Sequence, residues 1–503
     1  MTTMGRTRIH KAIAIPGFTL LFLAFVLSTC TDSDPTAGKV NPDAKPGTPS
    51  TTPSTPVFQS LGVTLAANII PPGGATTASA IGYFSDGSTR DYTSLVTWST
   101  DASANQVSVS STGAVSTRIS SMSTPAKIFA TYSGVTTFAT LRIRGPNFTN
   151  GQLASVVIGE PDFNTGTGGT TQQLIQITYG NPTIINDNLW LPDTGNNRIL
   201  GFSANPTTNY PLASYVLGQS MYSTGAASLS AFTFSSPYSV HYSNGKLLVA
   251  DYGQNRVMIW NAAPTTYGTS ADVVVGQPDF VTPTLGTGTT GLYGPRDVIV
   301  AGGKMIVADS INNRVLIWNA VPTTSNAPAD LVLGQGDFLS TSISANRGGL
   351  VASYTLNAPY SVWSDGQRLI VCDTNNHRVL GWNTFPTANG QNADWVLGQS
   401  TMTSSLQGLT PSSTSMNTPY NVTSNGSQLA VSDNGSNRVL IWNAIPTTST
   451  VPADVVLGQS SLSIGGAATS QSGLNGPSGL RFYGLSLYVG DLNNRRYLIF
   501  KGQ

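Results

Sequence analysis

Charged residues are scarce in this chain, and so are the side chains that most enzymes use for acid–base and metal chemistry. Only 9% of the 503 residues are charged, the formal net charge is +1, and there are three histidines and one glutamate, Glu160. This balance excludes a basic surface for nucleic acid. The residue pattern also indicates no catalytic constellation, no metal site and no cofactor site.

Cysteine is almost as rare, which excludes a disulfide framework. The two cysteines are Cys30, at the end of an apolar segment, and Cys372, deep in the chain. Cys372 precedes a repeated aspartate at a position where the other repeats have Pro, Ala, Ser or Gly. We therefore interpret Cys372 as a small buried side chain, and Cys30 needs a separate explanation.

One extended apolar run stands near the N terminus. Residues 12–27 follow the basic residues Arg6, Arg8 and Lys11, and Pro16 interrupts them. The run is short for a membrane-spanning helix and typical of an export signal, which we predict over residues 1–30. Removal of this signal takes away three basic residues and leaves a slightly acidic mature chain.

The run closes with Leu27, Ser28, Thr29 and Cys30, which resembles the lipobox of bacterial lipoproteins. In that family the cysteine becomes the acylated N terminus, although Thr29 departs from the small residue usual before it. The resemblance implies a lipid at Cys30 and anchoring to the cell envelope, with the outer membrane or cell surface favoured over a soluble periplasmic protein. An ordinary secretory signal is the alternative.

Two segments separate this leader from the repeats. Residues 31–56 are rich in Pro, Thr and Ser, which predicts a disordered linker. Residues 57–145 alternate apolar and polar positions between turns such as Asp86-Gly87-Ser88, which predicts a small β-sandwich. The stretch from Tyr83 to Asp91, with Val96-Thr97-Trp98 after it, resembles the bacterial immunoglobulin-like domain of group 2. That resemblance implies a spacer, or less often an adhesive unit.

From about residue 150 to 503 the sequence repeats with a period of about 58 residues. Each repeat has a Gly that ends an apolar strand, a Pro that opens the next strand, and an aromatic residue four positions after an arginine. The most regular feature is an aspartate followed five residues later by that arginine, at Asp193 and Arg198, Asp251 and Arg256, Asp309 and Arg314, Asp373 and Arg378, Asp433 and Arg438, and Asp491 and Arg496. Glycine and asparagine between them predict a tight hairpin turn, with the pair as turn cap and local ion pair.

The repeated unit resembles the NHL repeat in three features, which are a Pro-led strand, a strand that ends in Asp, and the sequence Asn-Arg-Val-Leu-Ile-Trp. The resemblance implies an all-β fold, a six-bladed β-propeller preceded by the immunoglobulin-like sandwich. The strand from Ala154 to Gly159 would complete the last blade and close the ring. The tryptophans at the aromatic position would then pack between blades.

Length varies mainly between the repeat Gly and the next Pro, where the spacing runs from 19 to 25 residues. Since such loops usually form the binding face of a propeller, we expect ligand contacts there from Asp162, Tyr222, Asp279, Tyr293, Asp337 and Arg347. The three aspartates share a similar local context. They could hold Ca²⁺ only by converging on the axis, and strand-end turn residues are the other interpretation.

These patterns favour a monomeric, non-enzymatic envelope protein whose loop face binds a protein or a glycan. The NHL family also includes peptidyl-hydroxyglycine amidating lyases, but their zinc needs more histidines than His241 and His377, the two in the mature chain. Calcium-dependent lactonases are the alternative enzyme class. Ca²⁺ is possible as a cofactor, but the sequence does not support it, because Glu160 is the only glutamate. RNA binding, known for some NHL propellers, lacks a basic face.

Overall fold

We describe a computed structural model of the chain, which covers residues 55–102, 106–118, 125–338 and 345–503. The export signal, the lipid attachment predicted at Cys30 and most of the predicted linker lie outside these residues. Within the described ranges, no helix combines the length and apolar character needed to cross a bilayer.

The first part of the described chain is a β-sandwich of nine strands. They are β1 (Phe58–Leu65), β2 (Ile69–Ile70), β3 (Ala75–Phe84), β4 (Thr89–Asp91), β5 (Thr97–Thr100), β6 (Val107–Val109), β7 (Ala114–Thr117), β8 (Ala126–Tyr132) and β9 (Val135–Ile143). One sheet has the order β1-β3-β7-β6 with β4 on β3, and the other has the order β2-β9-β8-β5. Alternate residues such as Ala78 and Ala80 of β3, and Ile128 of β8, point into a shared core around Trp98.

The remaining strands form six four-stranded antiparallel sheets. They comprise β10 (Val156–Ile158), β11 (Thr183–Ile185), β12 (Asn188–Asp193), β13 (Arg198–Phe202), β14 (Tyr215–Leu217), β15 (Pro237–Ser243), β16 (Lys246–Asp251), β17 (Arg256–Trp260), β18 (Val273–Val275), β19 (Pro295–Ala301), β20 (Lys304–Asp309), β21 (Arg314–Trp318), β22 (Leu331–Leu333), β23 (Pro359–Ser364), β24 (Leu369–Asp373), β25 (Arg378–Trp382), β26 (Trp395–Leu397), β27 (Pro419–Ser424), β28 (Leu429–Asp433), β29 (Arg438–Trp442), β30 (Val455–Leu457), β31 (Pro477–Tyr483), β32 (Ser486–Asp491) and β33 (Arg496–Lys501). Each sheet uses four consecutive strands, except that β10 joins β31, β32 and β33. We number the sheets in chain order, from the first sheet, β11 to β14, to the sixth sheet, which contains β31, β32, β33 and β10.

The sheets are arranged as a β-propeller. Their first strands contact one another in sequence, β15 with β19, β19 with β23, β23 with β27 and β27 with β31, so these inner strands surround the axis. The strand β10 pairs with the C-terminal strand β33, with Val156 opposite Ile499, and this pairing closes the ring. The predicted all-β fold, a propeller preceded by a small sandwich, is confirmed.

Apolar residues on both faces of the middle strands form the propeller core. In β17 and β29 every residue is buried, and Trp260 and Trp442 pack against the neighbouring sheet. Short 3₁₀ turns join most of the second strands to the third ones, at Thr194–Asn196, Tyr252–Gln254, Thr374–Asn376, Asn434–Ser436 and Leu492–Asn494, and a further 3₁₀ segment, Ala345–Gly348, lies in a loop.

The first sheet departs from the other five at its inner strand. In the others the repeat Pro opens the strand and lies opposite the repeat Asp, as Pro237 does with Asp251. In the first sheet Thr183 lies opposite Trp190. With this register, Tyr179 stands where the repeat Pro stands in the other sheets, and Pro182 lies three residues further along the chain. The repeat Pro and Asp are 11 positions apart in this repeat and 14 in the other five, and this difference is a shift of the proline rather than a deletion in the blade.

Candidate functional site

The repeated turns and the long loops lie at the same end of the propeller. In each sheet the second and fourth strands run in one direction, because neighbouring strands are antiparallel. The Asp-to-Arg turn follows the second strand and the Gly-to-Pro loop follows the fourth. We call this end the loop face and the opposite end the basal face.

Each repeat aspartate and its arginine form a buried ion pair. In all six the arginine Nε donates to the aspartate Oδ2 over 2.6–2.8 Å, and the side chains are 0–3% exposed. Burial raises the pKa of Asp251 to about 6, and the charge of Arg256 opposes that rise. A charge so deeply buried requires several partners, which the loops supply.

The second sheet shows how the pair holds the loops. The guanidinium of Arg256 donates to the carbonyls of Ser230 and Thr233, in the loop before this blade, over 3.0 and 2.9 Å. It also donates to the carbonyl of Phe280, in the loop after the blade, over 2.7 Å. The pair was predicted as a local turn feature. Its wider role is to fix the backbone of two successive loops.

The residue before each arginine adds a further link between blades. It has a left-handed backbone, for example φ of 53° at Asn255, whose side chain accepts from the amide of Gly294 over 2.9 Å. His377 occupies this position in the fourth sheet, and its Nδ1 accepts from Thr418 N over 3.0 Å. Burial lowers the pKa of His377. This histidine therefore replaces an asparagine in a structural hydrogen bond.

The residues predicted to bind ligand lie in four different loops. Asp162 and Asp279 are exposed and accept 2.8 Å hydrogen bonds from the amides two residues later, Asn164 N and Val281 N. Each follows the outermost strand of its own sheet, so the loop face does not bring these aspartates together at the axis. Asp337 is exposed in the same position of a third loop.

Tyr222, Tyr293 and Arg347 are partly buried, and each contacts its own loop or the adjacent blade. The carbonyl of Tyr222 accepts from Arg198, and the amide of Tyr293 donates to Asp309 over 2.7 Å. The guanidinium of Arg347 lies over the Tyr354 ring, 4.5 Å from its centroid. These contacts lie within individual loops or between a loop and its adjacent blade, so they do not define one shared pocket.

The axis carries polar residues that the sequence analysis did not select. At the loop face the guanidinium of Arg296 lies 3.7 Å from the ring centroid of Tyr360 and 4.7 Å from those of Tyr238 and Tyr252. Burial raises the pKa of the neighbouring Tyr420 to about 12, and it also raises the pKa of Tyr238 and of Tyr360. A tyrosine follows the repeat Pro in three repeats, which was the available signal.

One layer deeper, Asp297 closes the axis. Its carboxylate accepts from Ser239 Oγ over 2.7 Å, Ser361 Oγ over 2.8 Å, Val362 N over 3.0 Å and Asn181 Nδ2 over 3.2 Å. Burial raises the pKa of Asp297 and these four donors oppose the rise. The donors come from the segment just before β11 and from the inner strands β15 and β23, so Asp297 ties parts of different blades together across the axis.

At the basal face the axis opens into a cavity of about 790 Å³, which we call the basal cavity. His241, Trp363, Thr423 and Arg481 of four inner strands line it, and Arg118 of the sandwich lies at its rim. Burial, and then the charge of Arg481, lowers the pKa of His241 to about 3, so the imidazole is neutral at pH 7.

Two further features bear on chemistry. Burial raises the pKa of the Cys372 thiol well above its usual range, with smaller contributions from Asp297 and Asp373, which keeps it unreactive. In the described part of the chain, no three side chains of the His, Cys, Asp and Glu types cluster as metal ligands would.

No protein-family model and no curated protein matches the chain. Similar solved structures include a protein of unknown function from Bacteroides thetaiotaomicron, with 12% identity, a TM-score of 0.45, and coverage of 88% of this chain and 98% of that chain. They also include a catalytically inactive virginiamycin B lyase from Staphylococcus aureus, with 10% identity, a TM-score of 0.35 and coverage of 81% and 99%. A third is a putative 6-phosphogluconolactonase from Bacteroides fragilis, with 15% identity, a TM-score of 0.30 and coverage of 79% and 92%. At these identities the likeness concerns the fold alone.

Proposed function

We propose that this chain is a non-catalytic binding protein of the cell envelope and that its loop face holds a protein partner. The main support for this proposal is the exposure of large aliphatic side chains along the Gly-to-Pro loops. In five of the six loops such a side chain is at least 43% exposed, at Met221, Val281, Leu285, Leu350, Leu406, Leu409 and Ile464. Exposed apolar groups gathered on one face, with few charges among them, are typical of a protein interface.

The hydrogen bonds that fix the loop backbones also support this function. The buried ion pairs fix the loop backbones before any partner arrives, so less conformational entropy is lost on binding. A protein partner is favoured over a glycan because the exposed side chains are aliphatic. The tyrosines Tyr238 and Tyr360 are already engaged with Arg296 instead of forming an open stacking platform.

The remaining parts of the proposal concern the repeats and the anchor. We assign the propeller repeats to the NHL type and the sandwich to the group 2 immunoglobulin-like type, where it serves as a spacer. Cys30 carries the lipid that anchors the chain to the outer membrane or the cell surface. The spacing of the aspartate, the arginine and the aromatic residue in all six repeats supports the first assignment.

Photo-crosslinking in living cells tests the loop-face proposal. A benzoylphenylalanine probe at Val281 or Leu406, which are 65% and 76% exposed, should form adducts with one and the same protein. Probes at Leu153 and Leu212, which are 57% and 60% exposed and precede outer strands at the basal face, are the matched controls. Adducts of equal yield at all four positions, or at none, would contradict a specific loop-face partner.

The anchor makes a separate prediction. Replacement of Cys30 with Ala should move the protein from the membrane fraction to the soluble one, because the acyl chains supply the membrane affinity. Membrane fractionation and metabolic labelling with a fatty acid measure this change. Retention of the Cys30→Ala protein on membranes, without label, would show that the anchor lies elsewhere.

A further inference from the structure

The basal cavity holds polar groups that neither the fold nor the loop-face proposal uses. Its wall is built from the basal ends of the inner strands, with His241 from the second sheet and Arg481 from the sixth. Its volume of about 790 Å³ falls within the range of sites that hold small organic molecules. The cavity lies at the end of the axis opposite the apolar loop tips.

Two nitrogen atoms in this wall are buried without a hydrogen-bond partner in the described residues. They are Nε2 of His241 and Nε of Arg481. Nearly all buried polar atoms in proteins are hydrogen-bonded, so two unsatisfied ones in a single cavity point to a ligand. The Nε of arginine is an obligate donor, and its partner must therefore be an acceptor.

The charges around the cavity favour an anion. Arg481 takes part in no salt bridge among the described residues, in contrast to the six repeat arginines. Burial lowers the pKa of Arg481, and the charge of Asp297, one layer deeper, opposes that shift, but the Asp297 carboxylate already accepts four hydrogen bonds. Arg118 adds a second positive charge at the rim, and Asp187, which accepts from Tyr483, is the one carboxylate among the lining residues that the structure describes.

The rest of the wall is suited to hydroxyl groups. Besides the charged residues it presents amides and hydroxyls, those of Asn186, Asn244, Asn425, Thr423 and Ser424. Trp363 and Phe482 supply apolar surface beside them. Such a mixture, a few convergent polar groups over a partly aromatic wall, is typical of sites for small polar molecules.

We propose that the basal cavity binds a small hydroxylated organic anion, a sugar acid or a sugar phosphate, whose oxyanion meets the guanidinium of Arg481. The planar N–H fork of arginine matches both a carboxylate and a phosphate. Its Nε and the His241 Nε2 then gain the partners they lack. This site is independent of the loop-face partner, since the Asp297 layer separates it from the other end of the axis.

Isothermal titration calorimetry on the mature full-length protein tests the site with three probes, D-glucuronate, D-glucose 6-phosphate and neutral D-glucose. We expect at least one anionic probe to bind and neutral glucose not to bind. Arg481→Met should weaken that binding by about 10-fold or more, as expected for a lost hydrogen bond to a charged group. The matched control Arg142→Met, at an exposed arginine of the sandwich, should bind as the wild type does.

A second variant guards against misfolding of the first. His241→Gln keeps a polar side chain without the imidazole and should weaken binding of the same probe, with an unchanged far-ultraviolet circular dichroism spectrum. Whichever anionic probe binds identifies the ligand as carboxylate or phosphate. Failure of both anions to bind at about 10 mM, or equal affinity in wild type, Arg481→Met and His241→Gln, would overturn the proposal.

Discussion

Replacing Arg256 with Met should lower the free energy of unfolding by about 3–5 kcal/mol, because it leaves the buried carboxylate of Asp251 without its counter-ion. The same change removes the donors of three loop carbonyls, those of Ser230, Thr233 and Phe280. Chemical denaturation of the purified chain, followed by tryptophan fluorescence, measures the loss.

The chain contains a matched control for this experiment. Arg368 and Asp365 also form an ion pair, at 2.7 Å, but their side chains are 27% and 16% exposed. Arg368→Met should therefore cost less than about 1 kcal/mol. Equal costs for Arg256→Met and Arg368→Met would mean that the repeated pairs do not hold the loop face.

The second large effect concerns packing between the third strand of the fourth sheet, β25, and the outer strand of that sheet, β26. Gly381 lies opposite Trp395, and a Cβ on Gly381 would stand 2.0 Å from the indole atoms Cε2 and Cζ2 of Trp395. In the second sheet the same pair is Ile259 and Val273. Gly381→Ile should therefore destabilise the fold by about 3 kcal/mol or more through overpacking.

A compensating exchange separates this steric account from a general intolerance of the position. Trp395→Val alone should cost about 3–5 kcal/mol by leaving a cavity. The double variant reproduces the pair of the second sheet, and we expect it to be more stable than either single variant. Additive losses in the double variant, measured by the same denaturation, would contradict the proposed complementarity.

The repeat framework could be predicted from the sequence because the same local physics recurs six times. An Asp, a turn and an Arg followed by an apolar run specify a hairpin wherever they occur, as at Asp309 and Arg314. The closing strand β10 was predictable for the same reason. The three-residue shift at Pro182 was not, because only the strand register shows that Tyr179 occupies the usual place of the proline.

The axial residues Asp297, His241 and Arg481 could not be predicted because each of them occurs in one repeat only. His241 and Arg481 stand 240 positions apart in the chain and meet only because the ring brings the second and sixth sheets to one axis. The loop contacts of Arg256 were equally hidden, since they join side chains to backbone carbonyls, which every residue carries. Sequence motifs show repeated structure more readily than they show contacts between unlike repeats.

The most direct test of the loop face as the working surface compares two doubly substituted chains. Val281→Asp with Leu406→Asp places charges on two loop tips, and Leu153→Asp with Leu212→Asp places the same charges on two positions of the basal face that are also more than half exposed. Affinity for the partner identified by crosslinking, measured by surface plasmon resonance, should fall by about 10-fold or more in the first chain. It should not change in the second chain. Equal affinities for both chains would contradict the account.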